Sequence, residues 1–436
     1  MIRAGRANGW LKQPIDTLPT WATFHGVSFN GIKIGPLPGF EDRGSTVIAD
    51  RGLEGGKVEP LLAVPKELII SRQNIELFAK ADRHLREVLE ATGDFGRATI
   101  CCPGMKDIGV LNPLTEYIKY LPDELLPTFW SEEEQELLTG TTLQPAYWWD
   151  EDTGLVNLDD WLCVDAMYRS RALEFPGVGD CMCPCVDMAN HASGDATAAL
   201  YETNEDGDGL LLLRPGKNID KDGEITITYG DDKGACENIF SYGFLEDSMS
   251  SAKVMFLNID IPDDDPLRPA KIFVSTAAPG FRLFEKNGAI DWESDFIWLV
   301  IVNEEDGLDF KVRQTVDGKR EIQSLWKDAE LDDTSKLREY LHEDPLWDVY
   351  QLRATVLLQG RVDAQIALLR KVGNPPRQAT VRPYPWSLAE RLRTLELNML
   401  EKATDALEHQ KSRLFGSTVV QQYLGLGEED EEVDFT

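Results

Sequence analysis

Two short segments of the chain combine residue types that bind ligands and orient reacting groups. The first, residues 186–191, reads Val-Asp-Met-Ala-Asn-His; the second, residues 229–244, begins with Tyr-Gly and ends with Tyr-Gly-Phe. Taken singly, an Asn-His pair is more typical of a turn or a buried histidine, and such a tyrosine is more typical of core packing. Their order and spacing together are far more specific than either segment alone.

This arrangement resembles the SET-domain lysine methyltransferases, in the branch typified by the Rubisco large-subunit methyltransferase and its fungal ribosomal and cytochrome relatives. In that branch an Asn-His pair precedes a Tyr-Gly or Tyr-Asp segment and then a Tyr-Gly-Phe, and all three meet in a knot-like core. The Arg-Ser-Arg run at 169–171 is similar to a helix of the family. The resemblance extends from about residue 24 to about residue 410 and is strongest between 168 and 246.

The resemblance implies S-adenosylmethionine as the cofactor and a lysine of another protein as the methyl acceptor. Asn190 and His191 would contact the cofactor, largely through backbone groups. Arg171 would pair with the cofactor's carboxylate, a contact that suits a guanidinium. Tyr242 would be the catalytic tyrosine, and Tyr229 would line the narrow channel that admits the lysine.

A glycine loop near the N-terminus is the second predicted cofactor contact. Family members present Gly-x-Gly before a Val-Ala strand, where missing side chains let the backbone approach the cofactor. Here Gly44 and Ser45 keep the first part of the pattern, while Thr46 replaces the second glycine. We expect Gly44 and Ser45 to bind the cofactor and Thr46 to weaken or reshape that binding.

Methyl transfer to an amine requires positioning and a neutral nucleophile. A free lysine has a pKa near 10.4, so its deprotonation at pH 7 costs about 4.6 kcal/mol. A dry channel beside a positive sulfonium lowers that pKa through desolvation and like-charge repulsion. Tyrosine hydroxyls orient the amine without a negative charge that would stabilise its protonated form, so two tyrosines suit this chemistry.

The segments before residue 65 and after residue 180 favour β-structure. The run Val27–Ile34 contains Asn30-Gly31, which predicts a β-hairpin. Further strands are predicted at 46–49, 61–64, 181–186, 210–213 and 225–229. The last of these alternates cleanly and leads directly to Tyr229.

Between these β-rich parts the period changes to three and four, which predicts a helical insertion at about 71–155. Its first helix would bury one apolar face, formed by Ile75, Phe78, Ala81, Leu85 and Leu89. Ser131 and Glu134 predict a capping box that opens another helix. A further helix is predicted from Leu158 to Leu173.

The predicted fold class is α+β: a β-rich SET domain with a knot-like core and a helical insertion, followed by an all-α C-terminal substrate-binding domain. Long amphipathic helices are predicted at 335–341, 346–369 and 388–407. The predicted boundaries are an N-terminal arm at 1–23, the SET domain at 24–250, the helical domain at 260–415 and an acidic tail at 416–436, in which residues 428–432 are predicted to be disordered.

Cys181, Cys183 and Cys185 alternate along a predicted strand, and Cys236 could complete a zinc site with them. Spacing by single residues with one distant partner instead favours three small buried hydrophobes, so we predict no metal. Seven cysteines in a long chain favour a reducing compartment over a disulfide framework. No apolar run approaches the length of a membrane span, so a soluble cytoplasmic or nuclear protein is expected.

The formal net charge of −32 disfavours a nucleic-acid partner, which requires clustered basic residues. It favours a basic protein as substrate, or serves solubility alone. Two alternatives to lysine methylation remain open: a SET-like binding module that has lost catalysis, which Thr46 would explain, and methylation of a histidine. The sequence leaves the substrate, the number of methyl groups and the oligomeric state open.

Overall fold

The computed structural model describes residues 13–39, 44–56, 59–81, 83, 86, 87, 90, 113–121, 126–143, 158–314 and 320–426. The chain forms two compact units. The first unit comprises residues 1–129, 146–231 and 240–243, and the second comprises 130–145, 232–239 and 244–436. The units therefore interleave along the chain, whereas the sequence predicted consecutive domains.

The first unit is built from small antiparallel sheets. Its strands are β1 (Ser28–Phe29), β2 (Ile32–Pro36), β3 (Ser45–Ala49), β4 (Leu53–Glu54), β5 (Leu62–Val64), β6 (Ile70–Ser71), β7 (Leu173–Phe175), β8 (Gly179–Met182), β9 (Ala199–Thr203), β10 (Gly209–Leu213) and β11 (Asn218–Ile219). They pair in the orders β1-β5-β10-β9, β2-β3, β4-β11 and β6-β8-β7. The strands predicted at 46–49, 61–64 and 210–213 are confirmed as β3, β5 and β10.

The predicted hairpin across Asn30-Gly31 is wrong. The strand β1 pairs with β5, with Ser28 opposite Ala63, while β2 pairs with β3, with Ile32 opposite Ala49. Gly31 does adopt the left-handed conformation that a turn needs, with φ of 71°. The turn therefore redirects the chain from one sheet into another, because β1 and β2 find longer-range partners.

Residues 224–229 do not form the regular strand that their alternation predicts. They form two isolated bridges instead, Ile48 with Glu224 and His191 with Ile227. Backbone bonds reinforce both, since the Ile225 N–H donates to Val47 (2.9 Å) and the Ile227 N–H donates to Asn190 (2.9 Å). One extended segment thus joins β3 to the Asn-His segment.

The start of the chain is more than the predicted arm. The helix α1 (Leu18–Phe24) inserts Leu18 and Ala22 into the core, where neither is exposed to solvent. Trp21 beside them stacks on Tyr117, with ring centroids 5.2 Å apart. Residues 1–12 lie outside the described part.

The described part of the insertion is helical, as predicted. It contains α2 (Arg72–Ala81), α3 (Pro113–Tyr117) and α4 (Glu132–Glu136), and α5 (Leu158–Arg171) follows it. The capping box of Ser131 and Glu134 is confirmed. In α2, Ile75 is buried as predicted, but Phe78 is 42% exposed, and the side chains of Ala81, Leu85 and Leu89 lie outside the described residues.

The second unit corrects the predicted all-α C-terminal domain, because six strands precede its long helices. The strands β12 (Val254–Asn258), β13 (Gly280–Lys286) and β14 (Ala289–Glu293) form one sheet. A second sheet contains β15 (Leu308–Gln314), β16 (Arg320–Trp326) and β17 (Ala329–Leu331). These strands are short and half-exposed, so their apolar pattern is weak beside that of the helices.

The remaining helices are α6 (Ala235–Tyr242), α7 (Arg268–Val274), α8 (Phe296–Ile301), α9 (Leu337–His342), α10 (Trp347–Val372), α11 (Pro383–Phe415) and α12 (Thr418–Tyr423). The predicted long helices correspond to α9, α10 and α11. The α10 and α11 helices pack against each other. The helix α12 corrects the predicted tail, because it packs on this unit through Val420, which is fully buried. In the described part of the chain, no helix is both long and apolar enough to cross a bilayer.

Candidate active site

The aromatic centre of the candidate site is Tyr229, which lies between two other rings of the first unit. Its ring centroid is 5.2 Å from that of His191 and 4.7 Å from that of Tyr242. All three side chains are partly exposed, so they line surface that a ligand can reach. The three residues that the sequence singled out in separate segments therefore meet in space.

Hydrogen bonds fix the orientation of Tyr229 at both ends. Its backbone N–H donates to Nδ1 of His191 (3.0 Å), and its hydroxyl donates to the carbonyl of Ala189 (2.8 Å). Because Nδ1 of His191 accepts a hydrogen bond here, the tautomer that fits this contact carries its N–H on Nε2. The imidazole and the phenol are thus locked to each other through the backbone.

Tyr242 is the last residue of α6, and Arg169 holds that end of the helix. The Arg169 guanidinium donates to the carbonyl of Phe240 and lies 4.0 Å from the centre of the Phe240 ring. It also bonds Thr128 (3.0 Å) and Asp165 (2.8 Å). The sequence analysis assigned Arg169 no role, although it stands in the Arg-Ser-Arg run.

Asn190 is tied to the extended segment through its side chain as well as its backbone. Its amide donates to a carboxylate oxygen of Glu224 (2.7 Å), while its carbonyl accepts from Ile227. Sequence reasoning missed Glu224, although it opens the alternating run that leads to Tyr229. This bond holds the Asn190 amide in one orientation.

Arg171 is buried, and the contact that the structure shows is with the chain itself. Its guanidinium donates to the backbone carbonyl of Asp187 (3.0 Å), and the side chain is 8% exposed. The Asp187 carboxylate accepts a bond from the hydroxyl of Tyr117, which also accepts the N–H of Cys185 (3.0 Å). Arg171 therefore supports the turn that precedes Asn190, and a cofactor contact stays a prediction.

Tyr117 and Cys185 define how this turn is built. Cys185 has φ of 71°, a left-handed conformation that costs a non-glycine residue energy. Burial raises the pKa of Tyr117 well above its ordinary value, which keeps its hydroxyl protonated and able to donate. Sequence reasoning missed Tyr117 and Asp187, although Asp187 lies in the singled-out segment.

The glycine loop is described from Gly44 onward. Gly44 is exposed with φ of 81°, a conformation that favours glycine, and Ser45 beside it is partly exposed. Thr46 is fully buried, and its hydroxyl has no hydrogen-bond partner among the described residues. Because the Thr46 side chain points into the protein, it adds no bulk to the exposed surface of the loop.

The cysteines of the predicted strand are all buried, although β8 ends at Met182, before Cys183 and Cys185. Burial raises the pKa of the Cys183 and Cys185 thiols well above the ordinary value, as for small apolar groups packed in a core. These observations support the packing interpretation. Within the described residues, no cluster of three or more His, Cys, Asp or Glu side chains could hold a metal ion.

No family model matches the sequence. The chain is 28% identical over 398 residues to SET domain-containing protein 8 of Schizosaccharomyces pombe, covering 84% of this chain and 89% of that protein. Among solved structures, it is similar to the SET domain of LSMT bound to lysine and AdoHcy, with a TM-score of 0.63, 16% identity and coverage of 95% of this chain and 96% of that one.

A second solved structure, Rubisco LSMT bound to AdoMet, gives a TM-score of 0.62 at 17% identity and covers 96% of this chain and 98% of that one. The fold is that of a SET-domain protein of the LSMT-like type. The predicted SET fold with a helical C-terminal region is thereby confirmed. In the first unit, the extended segment 224–229 and the Asn-His segment meet as the resemblance implied.

Proposed function

We propose that this SET-domain protein is a protein-lysine N-methyltransferase that uses S-adenosylmethionine. The observation that carries the proposal is the row of rings formed by His191, Tyr229 and Tyr242, with centroid separations of 5.2 and 4.7 Å. The row joins the predicted cofactor segment to the predicted catalytic tyrosine. An amine and a methyl donor brought together there need no acid or base from the protein beyond correct placement.

The residues of the two predicted cofactor segments suit a bound cofactor. Gly44 presents open backbone with no side chain, and the buried Thr46 leaves that surface clear. Asn190 and His191 are partly exposed and held by hydrogen bonds to Glu224 and Tyr229, so they are pre-organised for a ligand. When bound, S-adenosylmethionine supplies a methyl group on a positively charged sulfur.

The same residues also fit an acceptor amine. The rings of Tyr229 and Tyr242 provide an apolar wall, which disfavours the charged form of a lysine and so lowers its pKa. The hydroxyl of Tyr229 and the carbonyl of Ala189 are already bonded to each other, which holds both oxygens in place. Tyr242 then orients the amine through its own hydroxyl.

The relatives support the proposal. LSMT structures were solved with lysine and AdoHcy, with methyllysine and AdoHcy, and with sinefungin and monomethyllysine. We extend both ligand types, a cofactor of the AdoMet kind and a lysine, to this chain. The acceptor is a lysine of a protein substrate, and the net charge of −32 favours a basic one.

The direct test is Tyr242→Phe, which removes one hydroxyl and keeps the ring packed against Tyr229. Methyl transfer should fall by at least about a hundredfold, the usual weight of a group that aligns reactants, while thermal unfolding stays nearly unchanged. Tyr120→Phe is the matched control, because Tyr120 lies in the same unit and its hydroxyl bonds Thr17 at an exposed site. Equal activity of Tyr242→Phe and the wild type would remove Tyr242 from catalysis.

Substrate identification needs cell extract, the full chain and cofactor carrying a labelled methyl group. We expect the label on the lysine of one or a few proteins, absent when Tyr242→Phe replaces the wild type. Label on histidine would replace lysine by histidine as the acceptor. A calorimetric titration that shows no binding at millimolar S-adenosylmethionine would instead favour the non-catalytic binding module.

A further inference from the structure

The second unit contains a cavity of about 430 Å³ that the proposed chemistry does not use. Its aromatic lining consists of Trp292 on β14, Trp298 on α8 and Trp347 at the start of α10. Trp298 lies between the other two, with ring centroids 5.8 Å from Trp292 and 5.1 Å from Trp347. We call this site the tryptophan cavity.

The arginines that line the tryptophan cavity are Arg338 on α9 and Arg413 on α11, and His409 lies in the lining as well. The Arg338 guanidinium lies 5.8 Å from the ring centre of Trp298. Neither guanidinium forms an ion pair or hydrogen bond with a residue that the structure describes. Both side chains are exposed, so their charges are available to an acidic ligand.

The two carboxylates of the cavity, Asp291 and Glu293, are already engaged. Glu293 pairs with Arg282 at 2.9 Å, and Asp291 accepts the N–H of Trp292 at 2.8 Å. The indole N–H of Trp298 is buried and has no partner among the described residues, and Trp298 itself is 2% exposed. The groups of the lining that can bind an anion or an aromatic ring are therefore the two exposed arginines and the partly exposed rings of Trp292 and Trp347.

We propose that the tryptophan cavity binds an acidic peptide segment that carries an aromatic side chain, and that residues 427–436 of this chain are that segment. Their sequence is Gly-Glu-Glu-Asp-Glu-Glu-Val-Asp-Phe-Thr, with six acidic residues, one phenylalanine and no base. The carboxylates pair with Arg338 and Arg413, and Phe435 packs against the indoles.

The last described helix contacts the same two helices that carry Trp347 and Arg413. The helix α12 packs through Val420 on Val349 and Leu414, which lie two residues after Trp347 and next to Arg413. Ser417 also donates a hydrogen bond to Asp348 (2.5 Å), the neighbour of Trp347. The ten residues after Leu426 reach up to about 33 Å when extended.

The test uses a fluorescent peptide of residues 427–436, titrated against the full chain by anisotropy. The same peptide is titrated against a full-chain variant for comparison. This variant carries Glu428→Gln, Glu429→Gln, Glu431→Gln and Glu432→Gln. The peptide should bind this variant at least about tenfold more tightly, because an intact segment competes at an effective concentration in the millimolar range. Equal affinities would show that the chain's own segment does not occupy the cavity.

Cavity substitutions in that variant locate the site. Arg413→Glu and Arg338→Glu should each weaken peptide binding by about tenfold or more, and a Phe435→Ala peptide should bind several-fold less tightly. Lys371→Glu is the matched control, an exposed charge reversal on α10 outside the cavity lining, and should change nothing. Binding that is insensitive to both arginine changes, or equally sensitive to Lys371→Glu, would overturn the proposal.

Discussion

Polar side chains anchor the two halves of the helical insertion in two different ways. In the first unit, one hydroxyl, that of Tyr117 on α3, reaches from the insertion to Asp187 and to the N–H of Cys185. In the second unit the anchoring side chains do not belong to the insertion. They come from the long helices and bind the insertion. A single hydroxyl serves the turn before the candidate site, whereas many bonds serve the remaining segment.

The second anchor consists of four side chains that bind residues 130–143. Arg382 pairs with Glu134 through two bonds of 2.7 Å, and Glu396 accepts the N–H of Thr142 (2.9 Å). Two more donors reach the backbone between these points: Arg393 to the carbonyls of Leu137 and Thr139, and Gln365 to that of Gly140. In the second unit, several side chains therefore fix the backbone of a whole segment, residues 130–143. In the first unit, one side chain fixes a single turn.

The largest expected effect comes from Glu396, which is fully buried. Burial raises its pKa from 4.5 to about 7, so the folded chain holds a proton that the unfolded chain releases between these pH values. The free energy of unfolding should fall by about 3 kcal/mol as the pH rises from 4.5 to 7 through this group alone. Glu396→Gln should flatten that dependence in denaturant titrations across this range. An unchanged slope would show that Glu396 is not buried as a neutral acid.

Tyr117→Phe should have an intermediate effect and act on the first unit. It removes one hydrogen bond from Asp187 and the acceptor of the Cys185 N–H, at a cost of about 1–3 kcal/mol in unfolding free energy. Because the strained turn leads to Asn190, calorimetry should also show weaker binding of S-adenosylmethionine. Loss of stability with unchanged cofactor affinity would show that the Tyr117 anchor does not support the candidate site, which would contradict the comparison of the two anchors.

Ser131→Ala should have the smallest effect. Ser131 caps α4 by accepting the N–H of Glu134 (3.2 Å), and loss of such a cap costs about 1 kcal/mol. Glu134 still pairs with Arg382, which holds its pKa down at about 2, so the anchor should survive. Faster hydrogen exchange confined to the start of α4 is the expected result. Ser387→Ala is the control, because its hydroxyl bonds only Tyr384 at an exposed position. A loss as large as that expected for Tyr117→Phe would mean that the cap, and not the ion pair, secures the segment.

The proximity of three site residues was predicted better than the sheet pairing, while the functional roles of these residues remain predictions. His191, Tyr229 and Tyr242 meet as expected, because a resemblance in three ordered segments carries long-range information that local pattern lacks. The Asn30-Gly31 turn carries none, and β1 and β2 each pair elsewhere because longer-range contacts outweigh local turn preference. Glu224 and Tyr117 were missed for the same reason, because the residues next to them in the sequence do not indicate a distant partner.

The helices were easier to predict than the short strands of the second unit. The helices α10 and α11 repeat their apolar period over 26 and 33 residues, which leaves little ambiguity. By contrast, β12 and β14 have five residues each, and β14 alternates only between half-buried and exposed positions. The exposed Phe78 on α2 shows the limit of periodicity, which predicts a face without saying what covers it.

The bond between Tyr229 and Ala189 also restricts what can approach that phenol. The hydroxyl uses its single O–H to donate to the backbone carbonyl, so it can only accept a hydrogen bond from a ligand. A group that brings N–H bonds is accepted there, whereas a carbonyl or carboxylate meets oxygen facing oxygen. The Tyr229 hydroxyl thus favours a ligand that donates a hydrogen bond over one that accepts it, because its bond to the main-chain carbonyl of Ala189 already exists without a ligand.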